Sequence, residues 1–259
     1  MGGGHARTPK KPAVAAQAAA PAEPEPPRPA LNGVKVNVDY ERYMLKLKEV
    51  PPTGAELLSR SRLYGIHQRG RGVITENERE IVGEDGEVYY KIISGGYGIG
   101  GKLDGDDVGL TESSNITPPD RAPDDIDHMY VEPTQALVYR LSGDYNPLHI
   151  DPDSPRVAAG GFPEPILHGA CTLGMCARAV LRTYGDNDPA RFKAYKVRFA
   201  SPVLPGQTLS TEMWDEGGGR IVFVSKIKET GTVVVSNSFM QLDLDAPLTP
   251  VVENPKAKM

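Results

Sequence analysis

Asp144 and His149 stand five positions apart in the run Tyr139-Arg140-Leu141-Ser142-Gly143-Asp144-Tyr145-Asn146-Pro147-Leu148-His149, a carboxylate and an imidazole near enough in sequence to grip one water. At neutral pH an ordinary carboxylate is ionised and an ordinary imidazole, which titrates near 6.5, is mostly neutral; one can take a proton while the other orients or donates. Five positions would hold the two apart on an ideal strand or helix. Asn146-Pro147 breaks both, because proline lacks an N–H and pushes the residue before it toward extended geometry. The pair can therefore converge. Gly, Asp, Asn and Pro are also the residues of a plain turn, so the run taken alone reads equally well as a bend in the chain.

Gly169 separates those readings. From Ala170 onward, apolar or small residues recur at Leu173, Gly174, Ala177, Val180, Leu181 and Tyr184, the spacing of one helical face, and Gly185 stands where a C-terminal cap is expected. Gly169 then lies near the N-terminus of that helix, where an unpaired N–H, reinforced by the helix dipole, points at any anion formed there. One such donor stabilises an oxyanionic transition state by roughly 3–4 kcal/mol. A water-handling pair with an oxyanion donor suits adding or removing water beside a carbonyl.

The elements that must hold these groups are mostly strands. Pro52 to Leu57 opens a strand-like run, Gln68-Arg69-Gly70-Arg71-Gly72 turns it, Val73 to Val82 runs back, Gly83 to Gly86 turns again, and Glu87 to Ser94 forms a third run. Pro205-Gly206-Gln207-Thr208-Leu209 opens a similar set, with a run to Asp215, a turn at Gly217-Gly218-Gly219, a return from Ile221 to Lys228, and a last run from Val233 to Leu244. Each reads as a three-stranded antiparallel meander. Strand candidates at Gln135 to Leu141 and Phe192 to Phe199 flank the helix, so the expected class is α+β, a curved antiparallel sheet wrapped round one long helix. The first half offers no matching helix, since the residues preceding it are rich in Pro and Ala.

Composition narrows the chemistry. The 259 residues carry a net charge of −5 at pH 7, which gives no basic field for nucleic acid or anionic membrane. No apolar run approaches the roughly 18 residues a spanning helix needs. Cys171 and Cys176 lie five apart on the expected helix and so point to different faces, which argues against a disulfide or metal pair. No histidine, cysteine and carboxylate set has metal-ligand spacing.

The string Tyr139 to His149, followed by Pro165-Ile166-Leu167-His168-Gly169, resembles the signature of the hydratase 2 (MaoC-like dehydratase) family. The likeness extends through Arg191-Phe192-Lys193-Ala194, Val197-Arg198-Phe199-Ala200, Pro205 to Leu209 and Glu212-Met213-Trp214, and takes in Ser94-Gly95-Gly96-Tyr97 to Lys102. The resemblance implies a double hot dog fold and hydration of a trans-2-enoyl-CoA to the (3R)-3-hydroxyacyl-CoA, with no metal or redox cofactor and with coenzyme A only as part of the substrate. It assigns water activation to Asp144 and His149, and the thioester oxygen to the Gly169 amide. Tyr145, Asn146, Pro147, Leu148 and Phe199 would line the bound thioester, and Arg69 falls where the family places a basic residue near the ligand. A solvated turn arginine is the other reading of Arg69.

The expected organisation is a disordered tail over 1–34, an acyl-side hot dog half over 35–118, a catalytic hot dog over 119–248 and a tail over 249–259. In the family the first half begins well before Asp39, so it is expected to be incomplete here, with exposed apolar surface. The stretch between His149 and Gly169 is longer than the family's and carries an extra glycine in Ala158-Ala159-Gly160-Gly161. A homodimer is the expected assembly. The terminal Ala257-Lys258-Met259 is similar to the Ser-Lys-Leu address read by the peroxisomal import receptor.

Gly96-Tyr97-Gly98-Ile99-Gly100-Gly101-Lys102 matches two nucleotide-loop patterns, but Leu103 stands where a P-loop needs Ser or Thr and no helix follows. It reads as a glycine-rich hairpin end or as a loop near the coenzyme A phosphates. His67 and His128 have no chemical neighbours in sequence, and His168 reads as a positioning residue. Two rival functions remain, a hot dog thioesterase and an acyl-CoA-binding module without turnover.

Overall fold

Glycines set the corners of this chain. Gly70, Gly86, Gly217, Gly218, Gly219 and Gly231 all take positive φ between successive strands, a conformation that L side chains resist. The computed structural model describes residues 31–32, 36–50, 55–111 and 115–246. In chain order the strands of the first half are β1 (Leu31–Asn32), β2 (Val36–Lys46), β3 (Leu57–Arg69), β4 (Gly72–Gly83), β5 (Val88–Ile99), β6 (Lys102–Leu103) and β7 (Val108–Gly109). The second half runs β8 (Asp125–Tyr130), α1 (Gln135–Arg140), α2 (Pro155–Gly160), α3 (Gly169–Tyr184), β9 (Phe192–Phe199), β10 (Thr208–Asp215), β11 (Arg220–Ile227) and β12 (Val233–Leu242).

Ten strands form one antiparallel sheet in the order β7-β3-β4-β5-β2-β9-β12-β11-β10-β8, while β1 pairs with β6 apart from it. The two meanders are β3-β4-β5 and β10-β11-β12, as their glycine corners predict. The join between halves is β2 against β9, with Glu41 opposite Arg198 and Met44 opposite Tyr195. Glu41 is buried there and accepts from the Arg198 guanidinium at 2.6 and 2.7 Å. β5 runs past the expected end at Ser94 to Ile99, because Gly95–Ile99 is paired with β4 on one side and β2 on the other.

One expected strand is a helix. Gln135 to Leu141 folds as α1, not as an edge strand, and the edge beside β10 is taken by Asp125–Tyr130, with Thr208 opposite Tyr130 and Glu212 opposite Ile126. The inward position of that edge strand holds Asp127, a buried acid paired with Arg182, which hides the apolar alternation that marks a strand. Gln135, Ala136 and Leu137 are sound helix formers, and Ala136 is the one that turns into the core.

α3 lies on the second half of the sheet. Its Cys176 and Val180 join Met213, Phe223, Val234 and Met240 in a fully buried core. Burial of a side chain such as Phe223 contributes about 1.5–3 kcal/mol. The Tyr195 hydroxyl donates to the Leu173 carbonyl at 2.9 Å, and its ring stacks on Phe223 at 5.7 Å, so one residue ties helix to sheet. Among the described residues the first half contains no helix, and Leu47, Leu58 and Leu110 stand exposed. Leu31–Asn32, read as tail, is a strand; the rest of that tail and Ala257-Lys258-Met259 lie outside the described residues. No described helix is long and apolar enough to cross a membrane.

Burial raises the thiols of both cysteines above their ordinary range, Cys176 to about 11. The thiolate is the reactive form. Both cysteines are therefore expected to stay silent to a thiol reagent at neutral pH and to react together on unfolding. Fast labelling of the folded protein would contradict this placement of α3.

Candidate active site

The chain reaches the site through a sequence of local constraints. α1 stops at Arg140, and Gly143 takes φ +112, open to glycine and costly for other residues. Asp144 Oδ1 then accepts from the Asn146 N–H at 3.2 Å, which fixes one of its oxygens and leaves the other free to act. Asn146 Oδ1 in turn accepts from the Leu148 N–H at 3.2 Å and caps a single 3-10 turn, Pro147–His149, with proline at its first position. That turn folds His149 back toward Asp144. A carboxylate oxygen of Asp144 and a ring nitrogen of each of His149 and His168 lie within 4.8 Å of one another.

The tautomer of His149 follows from its partner. Its Nδ1 lies 2.8 Å from the Ile166 carbonyl oxygen, which can only accept, so in the neutral imidazole Nδ1 carries the proton and Nε2 the lone pair. His149 is 8% exposed and therefore reachable only from the cavity side. His168 stacks on it with ring centroids 3.9 Å apart and a 28° tilt. Nitrogen lone pairs lie in the ring planes, and planes so nearly parallel do not meet on one ion at the roughly 2.0–2.1 Å that histidine ligation requires.

His168 is also the residue before α3, with extended ψ of 132°, and Gly169 is the first residue of the helix. The amides of a first turn have no carbonyl within the helix to receive them. Gly169 lines a cavity of about 610 Å³, so the start of α3 forms part of that wall.

The structure gathers Asn146, Leu148, His149, Gly169 and Phe199 on the walls of that cavity, with the Asp144 carboxylate close to His149 but not on the wall. Tyr145 and Pro147 are not on its walls; Tyr145 is exposed, with the Arg140 guanidinium 4.8 Å over its ring and donating to its carbonyl. Arg69 is at the end of β3, ion-paired with Asp107 at 3.0 Å, and is not on the cavity wall either. His67 is a core histidine bonded at 2.8 Å to the Leu110 carbonyl, and His128 is exposed. The glycine-rich decoy is the end of β5 and the turn at Gly100, with φ +78.

Sequence reasoning missed Ile99, Arg156, Phe162, Thr172 and Val203, which also line the cavity. Ile99 brings the first half to the site. Arg156 belongs to α2, the overhang, whose start was legible in Ser154-Pro155: the Ser154 hydroxyl oxygen accepts from the Arg156 N–H at 3.4 Å, and proline takes the first position. Its end was legible in Gly161, left-handed at φ +69. Gly160 has a separate task, because a Cβ there would come within 2.2 Å of the Phe162 ring. The extra small residues of the overhang thus let that ring fold under it.

The MaoC like domain family profile matches residues 114–238. The chain is 40% identical to the probable enoyl-CoA hydratase 2 of Dictyostelium discoideum, over 76% of this chain and 67% of that one. It is 44% identical to the peroxisomal multifunctional enzyme type 2 of Mus musculus over 78% of its length, but spans only 27% of that protein. Among solved structures, a MaoC-like dehydratase from Phytophthora capsici superposes with a TM-score of 0.75 at 35% identity, covering 82% of this chain and 73% of that one.

Proposed function

The chain belongs to the MaoC-like dehydratase family, and on that premise we propose that it adds water to a trans-2-enoyl-CoA to give the (3R)-3-hydroxyacyl-CoA. The observation that carries the reading is that Asp144 lies close to His149, while His149 and Gly169, the first residue of α3, line the same cavity.

In this mechanism a water sits between the free Asp144 carboxylate oxygen and His149 Nε2. The pair takes one proton as the water oxygen bonds to C3 of the enoyl group. Electron density moves from the C2=C3 bond into the thioester carbonyl, whose oxygen becomes enolate-like and is held by the Gly169 N–H. The proton taken from water is returned to C2, and the carbonyl reforms with the thioester intact. Asn146, fixed by its cap bond to Leu148, borders the reacting atoms. Ile99, Leu148, Phe162, Phe199 and Val203 provide apolar wall for the acyl group, and the volume lies in the usual range for ligand sites.

Relatives that bear the name peroxisomal, and the similarity of Ala257-Lys258-Met259 to a peroxisomal address, support placement of this reaction in peroxisomal fatty acid β-oxidation. A homodimer and recognition by the import receptor belong to the same reading.

The test is an assay of medium-chain trans-2-enoyl-CoA with two simultaneous readouts, loss of the enoyl thioester absorbance and release of thiol. The expected result is loss of absorbance without thiol, and a single (3R) product on chiral separation. Thiol release at the rate of substrate loss would establish a thioesterase instead, and binding without either signal a non-enzymatic acyl-CoA module.

A further inference from the structure

We propose that His168 is the positioning residue of this site, with its ring setting His149 and its N–H setting the Asp144 backbone, so that both stay in register with the Gly169 amide. The inference rests on the hydration reading above and gives a role to a side chain which that mechanism does not use.

Three contacts converge on a residue only 1% exposed. The His168 ring lies against His149, 3.9 Å between centroids. Its Nε2 is 3.4 Å from the Asp144 carbonyl oxygen, which can only accept, so that nitrogen carries the proton. Tyr139 closes the other side, its ring 4.8 Å from the histidine. The same residue is the N-cap of α3, so its backbone is continuous with the Gly169 amide. His168 is absent from the cavity wall and so acts through the groups that reach it.

The remaining nitrogen makes a purely structural role a poor account. Nδ1 is buried without a hydrogen-bond partner. A lone pair removed from water and left unmatched lowers stability, and a residue selected for packing alone would be apolar at this position. What an imidazole adds is a flat ring with an N–H on one edge, neutral at working pH. Burial, and after it the nearby His149, hold its pKa below the ordinary imidazole range. The titratable and charged groups around it are His149, Asp144, Arg140 and Tyr139. A neutral ring face attracts a cation, and His149 becomes one when it takes the proton of the attacking water. A charged His168 would repel it.

The test compares wild type, His168→Phe and His168→Leu by kcat, KM, pH profile and thermal midpoint. His168→Leu, which loses ring and N–H, is expected to lower kcat about 100-fold with KM within about twofold. His168→Phe keeps the ring and should lose only about tenfold, the difference being the share of the stacking. In the leucine variant the pH profile of kcat should move, because the ring packed on His149 is gone; in the phenylalanine variant it should stay. Thermal midpoints should hold or rise, since the orphaned Nδ1 is gone. If the leucine variant does not fold, the phenylalanine variant decides by the same kcat and midpoint criteria. Variants with kcat within twofold of wild type and an unmoved profile would overturn the proposal, as would a loss of kcat that merely follows a fall in midpoint. A wild-type chain that hydrates nothing takes down the hydration reading and this one together, before any variant is compared.

Discussion

Asp144→Asn is expected to lower kcat by about 10²–10⁴-fold, the usual worth of a positioned acid–base group, with little change in KM. The asymmetry follows from where the residue lies. Its carboxylate is beside His149 but is not part of the cavity wall, so the substrate should bind much as before. Asparagine keeps the shape and can still accept from the Asn146 N–H, which preserves the turn that brings His149 back. Asp144 is exposed and makes few folded-state contacts, so stability should change by no more than about 0.5 kcal/mol. His149→Gln should fall by a similar factor. The double variant should lose little more than either single one, because two groups that share one water act as a unit. Steady-state kinetics on the three proteins, with thermal melts alongside, check this; additive losses would mean that the two do not share a task.

Gly169→Pro should remove about 10²–10³-fold of kcat, the measured order for one oxyanion-hole donor, and leave the helix standing. Proline is well suited to the first position of a helix, where its missing N–H costs no internal bond. The residue before a proline must be extended, and His168 already is, with φ −56° and ψ 132°. The substitution therefore replaces the N–H hydrogen with a ring carbon at the cavity wall while the helical backbone is kept. Gly169→Ala, which keeps the N–H, is the control: it should lose far less unless the added methyl meets the substrate. Far-UV circular dichroism establishes that α3 persists, and kcat of the proline variant set against the alanine control then reads the donor. A proline variant with full activity would remove the Gly169 amide from the mechanism.

Both concern parts of the site that are legible in the sequence, and the reason is local. Gly143, Asp144, Asn146 and Pro147 form a turn from their own side chains and backbone limits, so their spacing carries its geometry with it. The start of α3 is similarly local, set by the recurrence of apolar residues after Ala170. The meanders were readable because glycine alone tolerates their corners. What escaped was set by partners distant in sequence. Asp125–Tyr130 is a strand because β10 needs an edge, and its buried Asp127 is tolerable only opposite Arg182. Gln135 to Leu141 carries an apolar run, Ala136 to Tyr139, that passes for a strand in the sequence, but Gln135–Arg140 is a helix. Ile99 reaches the cavity from the other half through the pairing of β5 with β2, a contact that no spacing in the chain announces. Arg69 matched by position and not by environment: Asp107 holds it at 3.0 Å, away from the cavity wall.

The residues given these proposed roles lie on elements of different kinds. His149 and Asp144 sit on a short turn braced by Ile166 and His168, while Gly169, the proposed oxyanion donor, belongs to a helix bound into the core through Cys176 and Val180. The overhang of α2, with Phe162 folded beneath it, shapes the space above them. The segment that holds Asp144 and His149 thus meets the segment leading into α3 at Ile166 and at His168.

The most direct test of that account is to run the reaction in water labelled with oxygen-18 and locate the label in the product. Hydration by the Asp144–His149 pair places it on the hydroxyl at C3 of an intact 3-hydroxyacyl-CoA. Label found in a free fatty-acid carboxylate, with coenzyme A released, would show that water attacks the thioester carbon and would contradict the assignment.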